Sequence, residues 1–324
     1  MAVVTGVFQT HQAIGNREDL SDIIYDISPT ETPFFTMCAK VKATGTNHEW
    51  QTDALAAAAT NRNIEGDTST AVSPTPTSRI NNYTQIFKKV FSVSGTQEVV
   101  RKAGRDSEIA YQMMKKGKEL KRDIEYAVSR NQASSAGGSA TARSLASVES
   151  WIATNKTSKG TGVAQTTPGW ASNAVAAPTD STAASSFTVT DLKNMISAAW
   201  SAGGNPTTVI VGPNCKKKIS GFTGIATLYR DTGPTAKTAR IITGADVFVS
   251  DFGEHTIYPS RFSRDQTVLV LDMDYWAVAT LRGITKEKLS KTGDAESWHL
   301  VTELTLESRN EAASAKIADV DGTA

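Results

Sequence analysis

The sequence is poor in most of the features that announce chemistry. Only two cysteines occur in 324 residues, Cys38 and Cys215, far apart and with no second thiol or histidine beside either. That excludes a disulfide framework and the usual zinc spacings, and it fits reduced thiols in a cytosolic setting. Neither sign of charge is in excess. With 34 Lys and Arg against 33 Asp and Glu, no global field steers the chain to nucleic acid or anionic lipid. No apolar run approaches the length of a membrane span, and the opening MAVVTGVFQTHQAIGNRED lacks a basic stretch followed by an apolar core. The pattern predicts a soluble protein that is not exported.

Catalytic signatures are missing as well. There is no GxxxxGK[ST] loop, no GxGxxG after a strand, no GxSxG elbow and no HExxH. The four histidines, His11, His48, His255 and His299, never fall at helical ligand spacing, so each reads as a strand or loop residue with a structural partner. Asp272 and Asp274 form an acidic pair where a strand meets a turn, without nearby His or Glu support. Asp319 and Asp321 resemble the opening of a calcium loop that ends before a twelfth-position Glu. Nothing assembles a nucleophile, a base and a stabiliser. No enzyme activity, cofactor or metal is expected.

What is present is one long helical pattern, Asp106–Gln132. Ile109, Met113, Gly117, Leu120, Ile124 and Val128 recur in steps of three and four, with Ala110 and Ala127 beside them, and form a narrow apolar stripe. Lys115, Lys118, Glu119, Arg122 and Glu125 populate the other side. Asp106 or Ser107 is placed to cap the start. The pattern predicts a strut lying across a sheet, with a close backbone contact at Gly117.

Around the strut the chain reads as follows. Residues 1–16 predict an arm, followed by a short helix carrying Leu20, Ile23, Ile24 and Ile27 that Ser28-Pro29 stops. Phe34, Phe35 and Met37 then either pack on their own domain or wedge into a neighbour. Asn47–Leu55 and Thr84–Ser94 predict two strands joined by a polar excursion that includes Pro74 and Pro76. An isolated two-stranded hairpin is marginal in water, so this one makes sense if it rests on another subunit. Ala133–Ser186 is dominated by small residues, and only Arg143–Thr154 shows apolar period. From Phe187 the character is α/β. Thr190 is read as the cap of a helix with Leu192, Met195, Ile196, Ala199 and Trp200 on one face. Strand Thr207–Val211, a helix from Asn214, and short strands at Ala245–Ser250, His255–Tyr258, Thr267–Leu271 and Trp276–Thr280 follow. Trp298–Leu306 is a long alternating strand, and AKIADVDGTA reads as a tail.

The segments GNREDLSDIIYDISPTETPFF, HEWQTDAL, the long helix, DFGEHTIYPSRF and ELTLESRNEAA together resemble a family of tailed-phage major capsid proteins, long catalogued as a domain of unknown function. Gly15–Phe35 is the most specific piece, and the resemblance spans nearly the whole chain except its small-residue middle. It implies an α+β chain with the Hong Kong phage-type capsid fold. The corresponding parts are an N-terminal arm (1–45), an extended loop or long β-hairpin (46–104), and a spine helix with the first part of a peripheral domain (105–186). An α/β axial domain (187–275), closing peripheral strands (276–312) and a tail (313–324) complete it. The implied role is a shell subunit forming hexamers and pentamers of an icosahedral virion capsid, assembled in the host bacterial cytoplasm. Portal and separate scaffolding proteins, nonspecific contact with packaged double-stranded DNA, and decoration proteins are the implied partners, with no membrane. The alternative class is a ligand-binding α/β protein or a hydrolase with an unrecognised site. The residues read as inter-subunit contacts are Arg17, Glu18 and Asp19 in the arm, Phe34 and Phe35 after it, Glu49, Trp50 and Arg79 near the hairpin, and Lys88 and Lys89 on its second strand.

Overall fold

Two apolar cores organise the chain, and one sheet lies between them. The computed structural model describes residues 28–321 apart from 69–70, 72, 161–168, 172, 182, 223–245 and 292. The arm 1–16, the helix proposed around Leu20–Ile27, and Ala245 lie outside the described residues.

The first part of the chain supplies helix α1 (Pro33–Met37), strands β1 (Ala39–Lys42), β2 (Asn47–Thr52), β3 (Ser78–Tyr83) and β4 (Gln85–Ser94), and helices α2 (Gly95–Val99), α3 (Glu108–Ser129) and α4 (Val148–Trp151). The second part supplies β5 (Lys156–Ser158), β6 (Gly169–Ala171), β7 (Ala174–Ala176), α5 (Val189–Ser201), β8 (Thr208–Val211) and α6 (Pro213–Ser220). The strands β9 (Val247–Ser250), β10 (Gly253–Pro259), β11 (Val268–Leu271), β12 (Trp276–Lys288), β13 (Ala295–Ser308) and β14 (Ala315–Ala318) close it.

A four-stranded sheet runs in the order β1-β12-β13-β4, and the strut α3 packs across β4 and β13. Ser107 caps α3 by accepting from the Ala110 N–H at 3.2 Å, and Glu98 accepts from the Glu108 N–H at 2.9 Å. These contacts satisfy donors that a helix start leaves open. Leu120, Ile124 and Val128 are fully buried in one core with Phe34, Phe87, Trp276, Leu300 and Leu304. Gly117 makes no close backbone contact, contrary to the expectation. A methyl group there would meet only Leu300 Cδ2, at 3.9 Å. Gly117→Ala is therefore expected to stabilise the subunit by about 0.5–1 kcal/mol, because the helix gains propensity without a clash. A lower denaturation midpoint for the variant would contradict this geometry.

The second sheet has the order β5-β14-β11-β8-β10-β9. Its central strands carry apolar side chains on both faces, as strands covered on two sides must. Ile210, Leu269 and Leu271 point into the core beneath α3, whereas Val209, Val211, Val268 and Val270 point into a second core with Leu192, Ile196, Cys215 and Ile219 from α5 and α6. Thr188, not Thr190, caps α5, in a reciprocal box with Asp191. Trp200 falls off the buried face of α5, is half exposed, and lies 5.2 Å from the Phe252 ring.

Two readings change with the sheets. The segment taken as a tail is strand β14, which is buried throughout and pairs with β11 and β5. Its short apolar run was hidden by flanking charge, and its Lys316 is itself fully buried. The hairpin also pairs differently. β2 pairs with β3 in the register Asn47↔Tyr83 to Thr52↔Ser78, while β4 joins the long sheet through β13. β3 has the sequence SRINNY and looks polar because amide hydrogen bonds anchor it more than apolar burial does.

Where the chain crosses between sheets, Asp272 serves as a cap. Its carboxylate accepts from the Asn205 N–H at 2.8 Å and the Asp274 N–H at 3.2 Å. Ser314 Oγ, on the return crossing, accepts from Trp276 Nε1 at 2.9 Å. The acidic pair thus fixes a junction.

Candidate functional site

The most exposed feature of the fold is the β2–β3 hairpin and the strand-free segment it carries. Every described residue of 53–79 is exposed. Leu55 and Ile64 stand 99% and 83% exposed, so their burial stabilises nothing within the subunit and would do so only against another surface. The segment is polar, with Pro74 and Pro76, and has no core of its own.

The foot of the hairpin is bound tightly to its own subunit. Trp50 Nε1 donates to the Ser308 carbonyl at 2.8 Å, and its ring lies 5.6 Å from that of Trp151. Asn82 Nδ2 donates to the Leu306 carbonyl at 2.7 Å, and its Oδ1 accepts from the Ala146 N–H at 2.9 Å. Asn81 links Asn47 and Trp170, each at 2.7 Å. His48 Nε2 lies 3.0 Å from Glu307 Oε2, and Arg309 Nε donates to Oε1 of the same carboxylate at 2.9 Å. The His48 hydrogen bond, with Arg309 adding to it, holds the Glu307 carboxyl below its ordinary value of 4.5. A carboxylate with a depressed folded pKa adds stability above the unfolded value and loses it as pH falls through the folded one. Glu307→Gln is thus expected to flatten the loss of melting temperature on going from about pH 5 to about pH 3. An acid profile identical to that of the parent protein would refute the pairing.

The residues read as inter-subunit contacts are placed differently from one another. Arg17, Glu18 and Asp19 lie outside the described residues. Phe34 is fully buried in its own subunit, 6.3 Å from the Trp276 ring, and so presents no surface to a neighbour. Phe35 is half-buried, with the Lys40 ammonium 3.7 Å from its ring centroid. Trp50 is committed to the foot. Glu49 and Arg79, both exposed, pair with each other across the hairpin at 3.5 Å. Lys89 pairs with Asp123 of the strut at 2.6 Å, which leaves Lys88 exposed on the opposite face of β4.

Two buried carboxylates escaped the sequence reading. Glu125, assigned to the polar side of the strut, accepts the N–H groups of Phe34 and Phe35 at 3.0 and 2.8 Å and so pins α1 to α3. Burial raises its pKa, against these two hydrogen bonds. Its position beside the apolar stripe was the only available signal. Glu149 of α4 lies in Arg143–Thr154, the stretch whose apolar period was read, and Leu145, Val148, Trp151 and Ile152 are all buried around it. Its Oε1 accepts from Arg264 Nη1 at 3.0 Å and from Thr267 Oγ1 at 3.2 Å, and its backbone carbonyl accepts from Lys316 Nζ at 2.7 Å. Arg264 also pairs with Asp180. Burial raises the Glu149 pKa and pushes Lys316 down to about 8. This largely buried cluster joins the two cores.

Among the described residues no group of His, Cys, Asp and Glu is arranged to hold a metal ion, and no helix is long and apolar enough to cross a membrane. Both cysteines are free and buried, and burial raises their pKa values, that of Cys215 to about 11. The geometry therefore offers a two-core body and an uncovered projection.

Comparison with known proteins accounts for that combination. The family model of the SU10 major capsid protein matches residues 3–321. The major capsid protein of Escherichia phage Phieco32 is 27% identical over 341 residues, covering 95% of each chain. The capsid asymmetric unit of Cyanophage A-1(L) superposes with a TM-score of 0.59 at 12% identity, covering 96% of this chain and 98% of that one. A chain from Microbacterium phage Oxtober96 gives the same TM-score and identity over 94% and 95%. A structure of the Phage G major capsid and decoration proteins gives 0.52 at 8% identity over 99% and 100%.

Proposed function

Since the chain belongs to the SU10 major capsid protein family, and is the major capsid protein of a tailed phage with the Hong Kong phage-type fold, we propose that its exposed hairpin is the element that joins neighbouring subunits of the shell. The observation that carries this reading is the contrast along one hairpin. Its foot is fixed by Trp50, His48, Asn81 and Asn82, whereas its outer segment leaves Leu55 and Ile64 largely in water. A projection held firmly at its base and bare at its tip is suited to lie across an adjacent copy, where those side chains leave water.

On this reading subunits form hexamers and pentamers and close into an icosahedral virion shell in the host cytoplasm. Scaffolding and portal proteins assist, and packaged double-stranded DNA is touched through its phosphates. Decoration proteins, present with the Phage G relative, are a further class of partner. The arm acids and bases Arg17, Glu18 and Asp19, with Lys88 and the Glu49–Arg79 pair, supply polar register between copies. Each exposed ion pair contributes only about 0–1 kcal/mol, and repetition over a shell makes the set matter.

The test is a variant in which residues 56–74 are replaced by a short Gly-Ser link. It is expected to melt as the parent protein does, because the foot contacts remain, and to yield no closed shells by electron microscopy. Normal shells from this variant would remove the hairpin from assembly.

A further inference from the structure

The outer face of α3 carries a row of cations that no carboxylate among the described residues neutralises. Tyr111, Lys115, Arg122 and Tyr126 lie at steps of four and seven, on the side away from the buried stripe, and Arg130 follows as the helix C-cap. Every carboxylate of the helix is engaged elsewhere. Glu108 pairs with Arg105, Glu119 with Lys116 at 2.8 Å and Asp123 with Lys89 at 2.6 Å, while Glu125 is buried under α1. Among the described residues no carboxylate pairs with Lys115, Arg122 or Arg130. The near-neutral total charge of the chain hides this local excess.

The guanidinium groups are held in place by aromatic rings. Arg130 lies 4.2 Å from the Tyr126 ring centroid, and its Nε donates to the Phe262 carbonyl at 3.0 Å. Arg122 lies 5.6 Å from the ring of Phe262. Stacking of this kind fixes the guanidinium plane and leaves its terminal amines free to bind phosphate. At about 1.5 Å per residue, Lys115 to Arg122 spans about 10 Å and Arg122 to Arg130 about 12 Å. A duplex strand carries one phosphate per about 3.4 Å of axis, so the three cations match about every third phosphate.

We propose that this face of α3 is the surface through which the subunit touches the backbone of packaged duplex DNA, without reading sequence. The inference rests on the shell reading only for the identity of the anion. Its failure is separable, because the hairpin deletion reports assembly and this test reports duplex binding.

The experiment measures fluorescence anisotropy of a labelled duplex of about 30 base pairs against the full-length protein, kept below the concentration at which shells form, from about 50 to about 300 mM salt. Each phosphate neutralised contributes about 0.9 to the slope of log K against log salt, so Lys115→Ala/Arg122→Ala is expected to reduce that slope by about 1.8 at unchanged melting temperature. The control Lys193→Ala/Lys217→Ala removes the same charge from other exposed sites and is expected to leave the slope as it was. Equal loss in both double variants, or no loss in the first, would overturn the proposal. So would a first variant that binds the duplex normally but forms no shells, since the row would then be a contact between subunits.

Discussion

Glu149→Leu is expected to destabilise the subunit by about 3–5 kcal/mol, the range for breaking a buried charge set by removing one partner. The carboxylate is fully buried and accepts from Arg264, and its charge favours the Lys316 ammonium, which itself donates to the Glu149 backbone carbonyl. Without it, Lys316, itself fully buried, must hold a proton without that countercharge or lose it. Its folded pKa, already pushed down to about 8 by burial, should fall further. A lysine with a depressed folded pKa binds fewer protons folded than unfolded, so its contribution to stability rises with pH. The gap in melting temperature between variant and parent should therefore narrow from about pH 7 to about pH 9. Adding Lys316→Met should recover much of the loss, because apolar replacement of a whole buried set is often neutral. A loss under about 1 kcal/mol, with no pH dependence and no rescue, would mean that the joint is wet.

The second large effect concerns the strut. Leu120 is fully buried where α3 crosses the long sheet, and Leu120→Ala should cost about 2–5 kcal/mol in transfer and cavity terms. Urea unfolding monitored by circular dichroism gives the value. A change within about 0.5 kcal/mol, the range of ordinary surface sites, would put that face of α3 in solvent and undo the packing described above.

These two residues mark how far the sequence alone could be read. Leu120 was visible because a helix repeats its apolar positions every three or four residues, and one stripe sufficed to place α3 against a sheet. The alternation of β13 and the continuous apolar run of β8 were legible for the same reason. Glu149 was not visible. It sits between Ser147 and Ser150 in a short apolar stretch, where a carboxylate reads as solvent-facing, and its burial is matched by Arg264 and Lys316, more than a hundred positions away. β14 was missed because four buried residues with a lysine among them carry no periodic signal. The hairpin register failed in a related way. Asn81 and Asn82 hold β3 through amide hydrogen bonds, and hydropathy does not register those. At the site itself, the polar excursion and its lack of a core were readable. That Trp50, Glu49 and Arg79 are occupied within the subunit was not, since pairing across β2 and β3 depends on the register.

The claim on which the account stands is that the hairpin tip is covered by an adjacent copy. Cryo-electron microscopy of assembled shells tests it directly, at a resolution that traces residues 53–77. The account predicts that Leu55 and Ile64 are buried against a neighbouring subunit while Trp50 keeps its bond to the Ser308 carbonyl of its own chain. A tip that lies in solvent, or folds back on its own subunit, would contradict it.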